Sequence, residues 1–421
     1  MKPTFAFVWF FGAVATPVFA WGCGDDDSPP PPPSDAGPRD AASDGGVPRD
    51  GGDDDDAAVV PVRCTVDPSG LVEVGRDGSG GAAAVASASN LETSALIFTD
   101  DLDGTVAVRL VTIANDGTVT RHTPEGIPAG ATEPDVAAVG GAWWIVARES
   151  DGAVRLFRYD AEVAAVGTPV ALASGASSPR IAAAGEGAFV AWREGASVRG
   201  RLVSATGTAG AVVELGTATG EFDLALHGED AAVLLRAGTD ESPTRVQGSR
   251  VGDGTPTSLL VGGSEESVGS VGLAGPTREA PDGVFPFYGA VAFDVRIGDS
   301  FRSIRLAVLD EAGTPAYGEW RVSGPGEYAW AASATDWGGG YLVAYRARVE
   351  DGGFSLIRVS LLDREACEVG RVDEQLTVAS TTTEAGSETT VTSTGRGHFV
   401  VGWGETRSDL TEYRIAVGRC E

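Results

Sequence analysis

From Ala82 to the C-terminus, apolar residues come in short runs of Val, Ala, Leu and Trp separated by Gly-, Asp- and Pro-containing turns. No window sustains the 3.6-residue spacing of an amphipathic helix, so the pattern predicts an almost purely β domain. One phrase returns: PDVAAVGGAWWIVAR at Pro134–Arg148 and PRIAAAGEGAFVAWR at Pro179–Arg193, 45 residues apart. Looser copies occupy Ala332–Tyr345 and Val391–Trp403, with echoes at Ala84–Phe98 and Leu224–Leu235. Each reads as a strand of small residues, a Gly-containing turn and a strand of alternating large apolar residues. Such a hairpin places its small-residue strand where space is tight.

A second hairpin follows each phrase, as at Val154–Asp160 with Thr168–Leu172, Val198–Ser204 with Ala211–Leu215, and Ile304–Asp310 with Glu319–Val322. Four antiparallel strands in a period of roughly 40 to 57 residues are the signature of propeller blades, whose twisted sheets bury both faces against their neighbours around a ring. The expected fold is therefore an all-β β-propeller of four-stranded blades, seven by this count, with six or eight as alternatives. Their expected limits are 82–128, 131–175, 178–217, 221–263, 267–325, 327–380 and 388–421. The fifth is interrupted by Pro276–Pro286, an insertion expected on one face of the ring. The last lacks an outer strand, which Pro61–Gly75, with its Leu71-Val-Glu-Val74 run, is placed to supply.

The N-terminus reads differently. Lys2 precedes an apolar run from Phe5 to Ala20, the length of a signal-peptide core and too short for a comfortable membrane span. Cleavage could follow Val18-Phe19-Ala20 or precede Cys23. Residues 24–58 mix Pro, Gly, Asp and Ala without an aromatic residue, a composition that cannot offset the entropy of ordering, so they are expected to be a disordered, extended tether. The domain plan is a signal peptide at 1–22, an acidic tether at 23–58 and the propeller at 59–421. Ala20-Trp21-Gly22-Cys23 resembles a bacterial lipobox, with Gly22 and Cys23 matching and Trp21 bulky where a small residue is usual. The resemblance implies a diacylglycerol anchor on Cys23 followed by a hydrophilic spacer. The whole layout resembles lipoproteins of Gram-negative bacteria built from a signal sequence, an acidic tether and a propeller-like domain. That implies an outer-membrane or cell-surface location, with a periplasmic or freely secreted protein as the alternative. It does not supply an activity.

The formal charge of −29 sets the protein's field against phosphate backbones, so nucleic acid is not an expected partner. With Cys23 lipidated, Cys64, Cys367 and Cys420 remain, and an exported protein can form one disulfide among them. Ring closure favours Cys64 with Cys420, Cys367 being the spare or the alternative partner of Cys420. The absence of a CxxC spacing argues against redox or zinc chemistry.

Candidate chemistry is sparse. His122, His227 and His398 lie in different repeats without a second ligand residue nearby, so no metal and no other cofactor is expected. Asp53–Asp56 and Asp100-Asp-Leu-Asp-Gly104 offer carboxylates but not a calcium loop's ligand spacing. Gly298-Asp-Ser-Phe301 shares its opening with a serine-esterase motif but falls in a hairpin loop. The Ser-x-Asp-x-Gly-x-Thr-Trp turns of sialic-acid-cleaving propellers are missing. Trp143, Trp144, Trp192, Trp330, Trp337 and Trp403 are expected to pack between blades rather than stack on sugars. With no catalytic residues to name, the expected role is an envelope-anchored binding or scaffolding module for a protein or polysaccharide ligand. The alternative is a secreted or surface hydrolase of a glycan or other polymer, for which two carboxylates about 5 to 9 Å apart in one funnel would speak.

Overall fold

The structure is a computed structural model. It describes residues 63–67, 72–77, 85–90, 92–101, 104–217, 222–227, 230–237, 245–250, 256–261, 266–274, 289–297, 301–309, 315–337, 340–349, 355–363, 372, 374–381, 388–394, 397–407 and 410–420, with backbone alone between 226 and 271. Every regular element among them is a β-strand. The small-then-large hairpins and their followers form four-stranded antiparallel meanders spanning 86–122, 132–173, 177–217, 222–261, 266–321 and 327–381, here called sheets one to six.

Among the described residues the four-stranded blades number six rather than the expected seven. The remaining sheet, sheet seven, has five strands because the first two and the last three described strands all enter it. Thr389–Ser393, His398–Arg407 and Leu410–Cys420 form its hairpins, and Cys64–Val66 and Val72–Asp77 both pair antiparallel with Leu410–Cys420. The N-terminal segment thus supplies the missing outer strand in two pieces, opposite 418–420 and then 411–415, and runs on to Asp77. Cys64 faces Cys420 in this register, and the two are disulfide-bonded with Cα atoms 3.9 Å apart. The Cys64 N–H also donates to Glu374 of sheet six at 2.7 Å, fastening the seam to a second sheet.

The first strand of each sheet packs beside the first strand of the next, and sheet seven returns to sheet one, so the propeller ring is closed. Apolar side chains form layers between neighbouring sheets. Trp144, Val146, Ile181 and Trp192 join sheets two and three, while Leu342, Val359, Phe399 and Trp403 join six and seven. Phe98 of sheet one stacks on Tyr413 of sheet seven with ring centroids 4.3 Å apart. Each layer excludes water from both sheet faces, which is why strands of this kind are apolar on both sides.

Candidate functional site

Four first strands bulge. Pairing slips between Thr132 and Asp135, Ser177 and Arg180, Val268 and Val271, and Trp330 and Ser333. Inside three of these bulges, in sheets two, three and six, one non-glycine residue takes positive φ: Glu133 at 51°, Ser178 at 49° and Ala331 at 56°. A bulge redirects the side chain that follows it. In these three sheets those side chains are Asp135, Arg180 and Ser333, and all three line an axial cavity of about 170 Å³ to which every sheet contributes.

Around the cavity most polar groups reach to the next sheet. Asp135 accepts the N–H of its own neighbour Val136 and, with its other oxygen, that of Ile181 in sheet three, both at 2.8 Å. Asp223 repeats the arrangement, accepting Leu224 N–H and Leu273 N–H of sheet five at 2.8 Å. Ser333 accepts Val391 N–H of sheet seven at 3.3 Å, and the Ser87 and Thr390 hydroxyls meet at 2.5 Å between sheets one and seven. In sheet five Gly272 lines the cavity. A Cβ there would lie 2.8 Å from both the Ala332 carbonyl oxygen and Ser333 Cα, so only glycine fits without moving sheet six.

Arg180 donates to the Pro179 carbonyl at 3.1 Å and comes within 4.0 Å of Glu388, which belongs to sheet seven rather than to either neighbouring sheet. Burial drives the Asp135 carboxyl up to about 6, Arg180 and the two N–H donors opposing and Asp223 adding to the rise. Asp223 keeps some exposure, yet enclosure of its carboxylate also raises it, against the pull of Arg180. Two carboxylates therefore share one guanidinium, and each carboxylate oxygen is committed to a backbone N–H.

Cys64 and Cys420 lie at the seam, remote in role from the cavity lining. Cys23, Cys367, Asp53–Asp56, Ser300 and the insertion at 276–286 fall outside the described residues. Asp100 forms an ion pair with Arg109 at 2.9 Å, and the Gly104 N–H donates to the Asp101 carbonyl in a turn. His122 meets the Thr112 hydroxyl at 2.9 Å, while the backbone carbonyl of His398 accepts Thr394 N–H. Among the described residues no group of three His, Cys, Asp or Glu converges to hold a metal.

None of the six tryptophans is exposed: Trp143, Trp144, Trp192 and Trp403 are buried, and Trp330 and Trp337 half-buried. Trp192 and Trp403 occupy one strand position and share a further pattern, each donating its indole N–H to the Glu two residues on, Glu194 at 2.8 Å and Glu405 at 3.1 Å. Opposite them on the next strand stand Arg199 and Arg414, which pair with those same glutamates. Asp100 with Arg109 and Glu149 with Arg155 repeat the arrangement, Phe98 and Ala147 taking the tryptophan place. Sequence reading passed over this recurring acid–arginine hairpin, although Trp-Arg-Glu at 192–194 and Trp-Gly-Glu at 403–405 carried its trace.

No protein-family model matches the chain, nor does any curated protein. Solved structures do. A lectin from Burkholderia pseudomallei is 15% identical over 79% of this chain and 95% of its own, with a TM-score of 0.55. A protein of unknown function from Dyadobacter fermentans is 12% identical over 86% of this chain and 100% of its own, at 0.49. The β-propeller domain of the Trilobed protease from Pyrococcus furiosus is 10% identical over 79% of this chain and 93% of its own, at 0.45. At such identities the likeness to the lectin speaks for the β-propeller fold alone.

Proposed function

We propose that this chain is a binding module, a propeller that recognises a polar ligand, polysaccharide or protein, at its axial cavity. The observation that carries this reading is the convergence of all seven sheets on one polar cavity, with Arg180 and Glu388 presented together. Concave sites with a few convergent polar groups are the usual place for recognition. The lectin's shared fold is consistent with such a role. We further propose that the module is exported and lipid-anchored through Cys23, the acidic tether holding it off an outer-membrane or cell surface.

The second reading, hydrolysis of a glycan or other polymer, draws on Asp135 and Asp223, two carboxylates lining one cavity. A general acid or base must be free to exchange a proton with substrate. Because both oxygens of each are engaged by backbone N–H groups, recognition is placed first.

The test is a glycan and peptide array probed with the wild-type chain and with Glu388→Ala. Array signals that vanish in the variant support axial recognition. Signals unchanged by it place recognition elsewhere, and turnover of an arrayed polymer favours the hydrolase. Intact mass of envelope-recovered protein tests the anchor, a mass starting at Cys23 with a diacylglycerol adduct being the expected result.

A further inference from the structure

Asp135 and Asp223 do the same mechanical work at two sheet boundaries. Each stands on a first strand and ties, through one oxygen, the first strand of the following sheet: two to three at Ile181, and four to five at Leu273. Separating either pair of strands at the axis would bring that carboxylate into water.

We propose that the axial ring is an acid-tightened closure, in which proton uptake by Asp135 and Asp223 holds sheets two and three, and four and five, together more firmly than at neutral pH.

Among the described residues, the charged ones lining the cavity are Asp135, Arg180, Asp223 and Glu388, three carboxylates to one guanidinium. Around Asp135, the first strand of sheet three supplies Arg180, that of sheet four supplies Asp223, that of sheet one presents Ser87, and its own sheet sets Val146 opposite. Around Asp223, sheet three supplies Arg180, sheet five presents Gly272 and Leu273, and its own sheet sets Leu234 opposite. Glu388 faces Arg180 from sheet seven and competes for it.

Enclosure disfavours the charged carboxylate, and Arg180 offsets this for both acids only in part. The closed ring therefore binds protons more readily than an opened one, in which each carboxyl regains its ordinary affinity. Linkage then requires that closure strengthen as pH falls through the range where the enclosed groups take up their protons. This follows whatever ligand the cavity accepts.

The ring contains its own control. Val391 N–H is held by the Ser333 hydroxyl across the boundary between sheets six and seven, and that hydroxyl does not titrate in this range. Hydrogen exchange of the full chain at pH 7.5 and 5.0, expressed as protection factors corrected for the intrinsic pH dependence, reads all three amides at once. Protection of Ile181 is expected to rise about tenfold on acidification relative to Val391, with Leu273 rising in the same direction. In Asp135→Asn the Ile181 response should disappear while that of Leu273 stays. A protection ratio of Ile181 to Val391 that is unchanged, or that falls, between pH 7.5 and 5.0 in the wild-type chain overturns the proposal without recourse to any variant.

Discussion

Opening the Cys64–Cys420 disulfide is the perturbation that bears most directly on how the ring is held shut. The bond joins residues separated by 356 positions. A chain-entropy treatment of so long a loop gives a ceiling of about 6 kcal/mol, whereas such bonds usually contribute about 2–4 kcal/mol. The lower range is expected, because the seam does not depend on the sulfurs alone. Cys64–Val66 and Val72–Asp77 remain laddered on Leu410–Cys420, Asp67 N–H still donates to the Val417 carbonyl at 3.1 Å, and Cys64 N–H still reaches Glu374. Guanidinium unfolding followed by tryptophan fluorescence, on oxidised protein and on reduced protein with its thiols counted, measures the loss. A Cys64→Ser/Cys420→Ser variant opens the seam by a second route. Both should unfold at lower denaturant, and amides of Thr65 and Val66 should lose protection before those of Val72–Asp77. An unchanged midpoint in protein shown to carry free thiols at both positions would refute the view that this bond locks the ring.

Stability should also respond to pH with a definite sign. The folded carboxyl of Asp135 sits near 6 against an ordinary 3.8, so the native state holds a proton the unfolded chain lacks between those values. Unfolding free energy therefore rises as pH falls through 6, by at most about 3 kcal/mol from this group; calorimetric midpoints higher at pH 5.0 than at pH 7.5 are the expected result. Glu73 and Asp116, held low by Arg76 and by Thr118 N–H respectively, act in the opposite sense but from exposed or half-exposed positions. Gly272→Ala should cost about 1–3 kcal/mol in denaturant titration, since its Cβ meets the backbone of sheet six rather than a movable side chain. Arg346, fully buried and pushed down to about 10 by that burial, donates to the Gly404 carbonyl and faces Glu405. Arg346→Ala should lower stability by about 1–3 kcal/mol by leaving that carbonyl without its donor, while Glu405 keeps Arg414 as its cation.

The strands and the seam were legible in the sequence because both rest on local pattern. Small-residue strands, glycine turns and large-residue strands repeat with a period, and a leftover apolar run at Leu71–Val74 implied an unfilled edge. The count of four-stranded blades was not, because Cys64–Val66 and Val72–Asp77 read as one outer strand, whereas they enter sheet seven as two strands and make it five-stranded. The axial site was hidden for a different reason. Asp135 and Arg180 stand at one position of the repeated phrase, 45 residues apart, but the site's members differ in chemistry from repeat to repeat, so nothing in the pattern marks them as a site. The nearest trace was the shared proline at 134 and 179, which marks the bulge but not where the next side chain points. The acid–arginine hairpins escaped notice because the two charges sit on adjacent strands, where register rather than sequence distance decides who meets.

Repetition and divergence are distributed unevenly across this fold, and that carries a consequence. Between the sheets the same solutions recur, whereas the residue that follows the bulge is Asp135, Arg180 or Ser333 depending on the sheet. Arg180→Ser gives sheet three the residue that sheet six carries at this position and leaves the interlayer packing untouched. If Arg180 were a structural prop, its loss would cost the same at any pH. If its work is to oppose the two enclosed carboxylates, the cost depends on whether they are charged. Its removal raises both carboxyls further, since the guanidinium is what holds them down. At pH 5.0, with Asp135 protonated, the loss shrinks towards the contacts that do not depend on that charge, among them the 4.0 Å contact with Glu388 and the Pro179 bond, about 1 kcal/mol. At pH 7.5 the uncompensated charge raises the loss to about 1–3 kcal/mol. Unfolding midpoints of the wild type and Arg180→Ser at both pH values separate the cases, and an equal loss at pH 5.0 and 7.5 would remove the electrostatic role assigned to the axis.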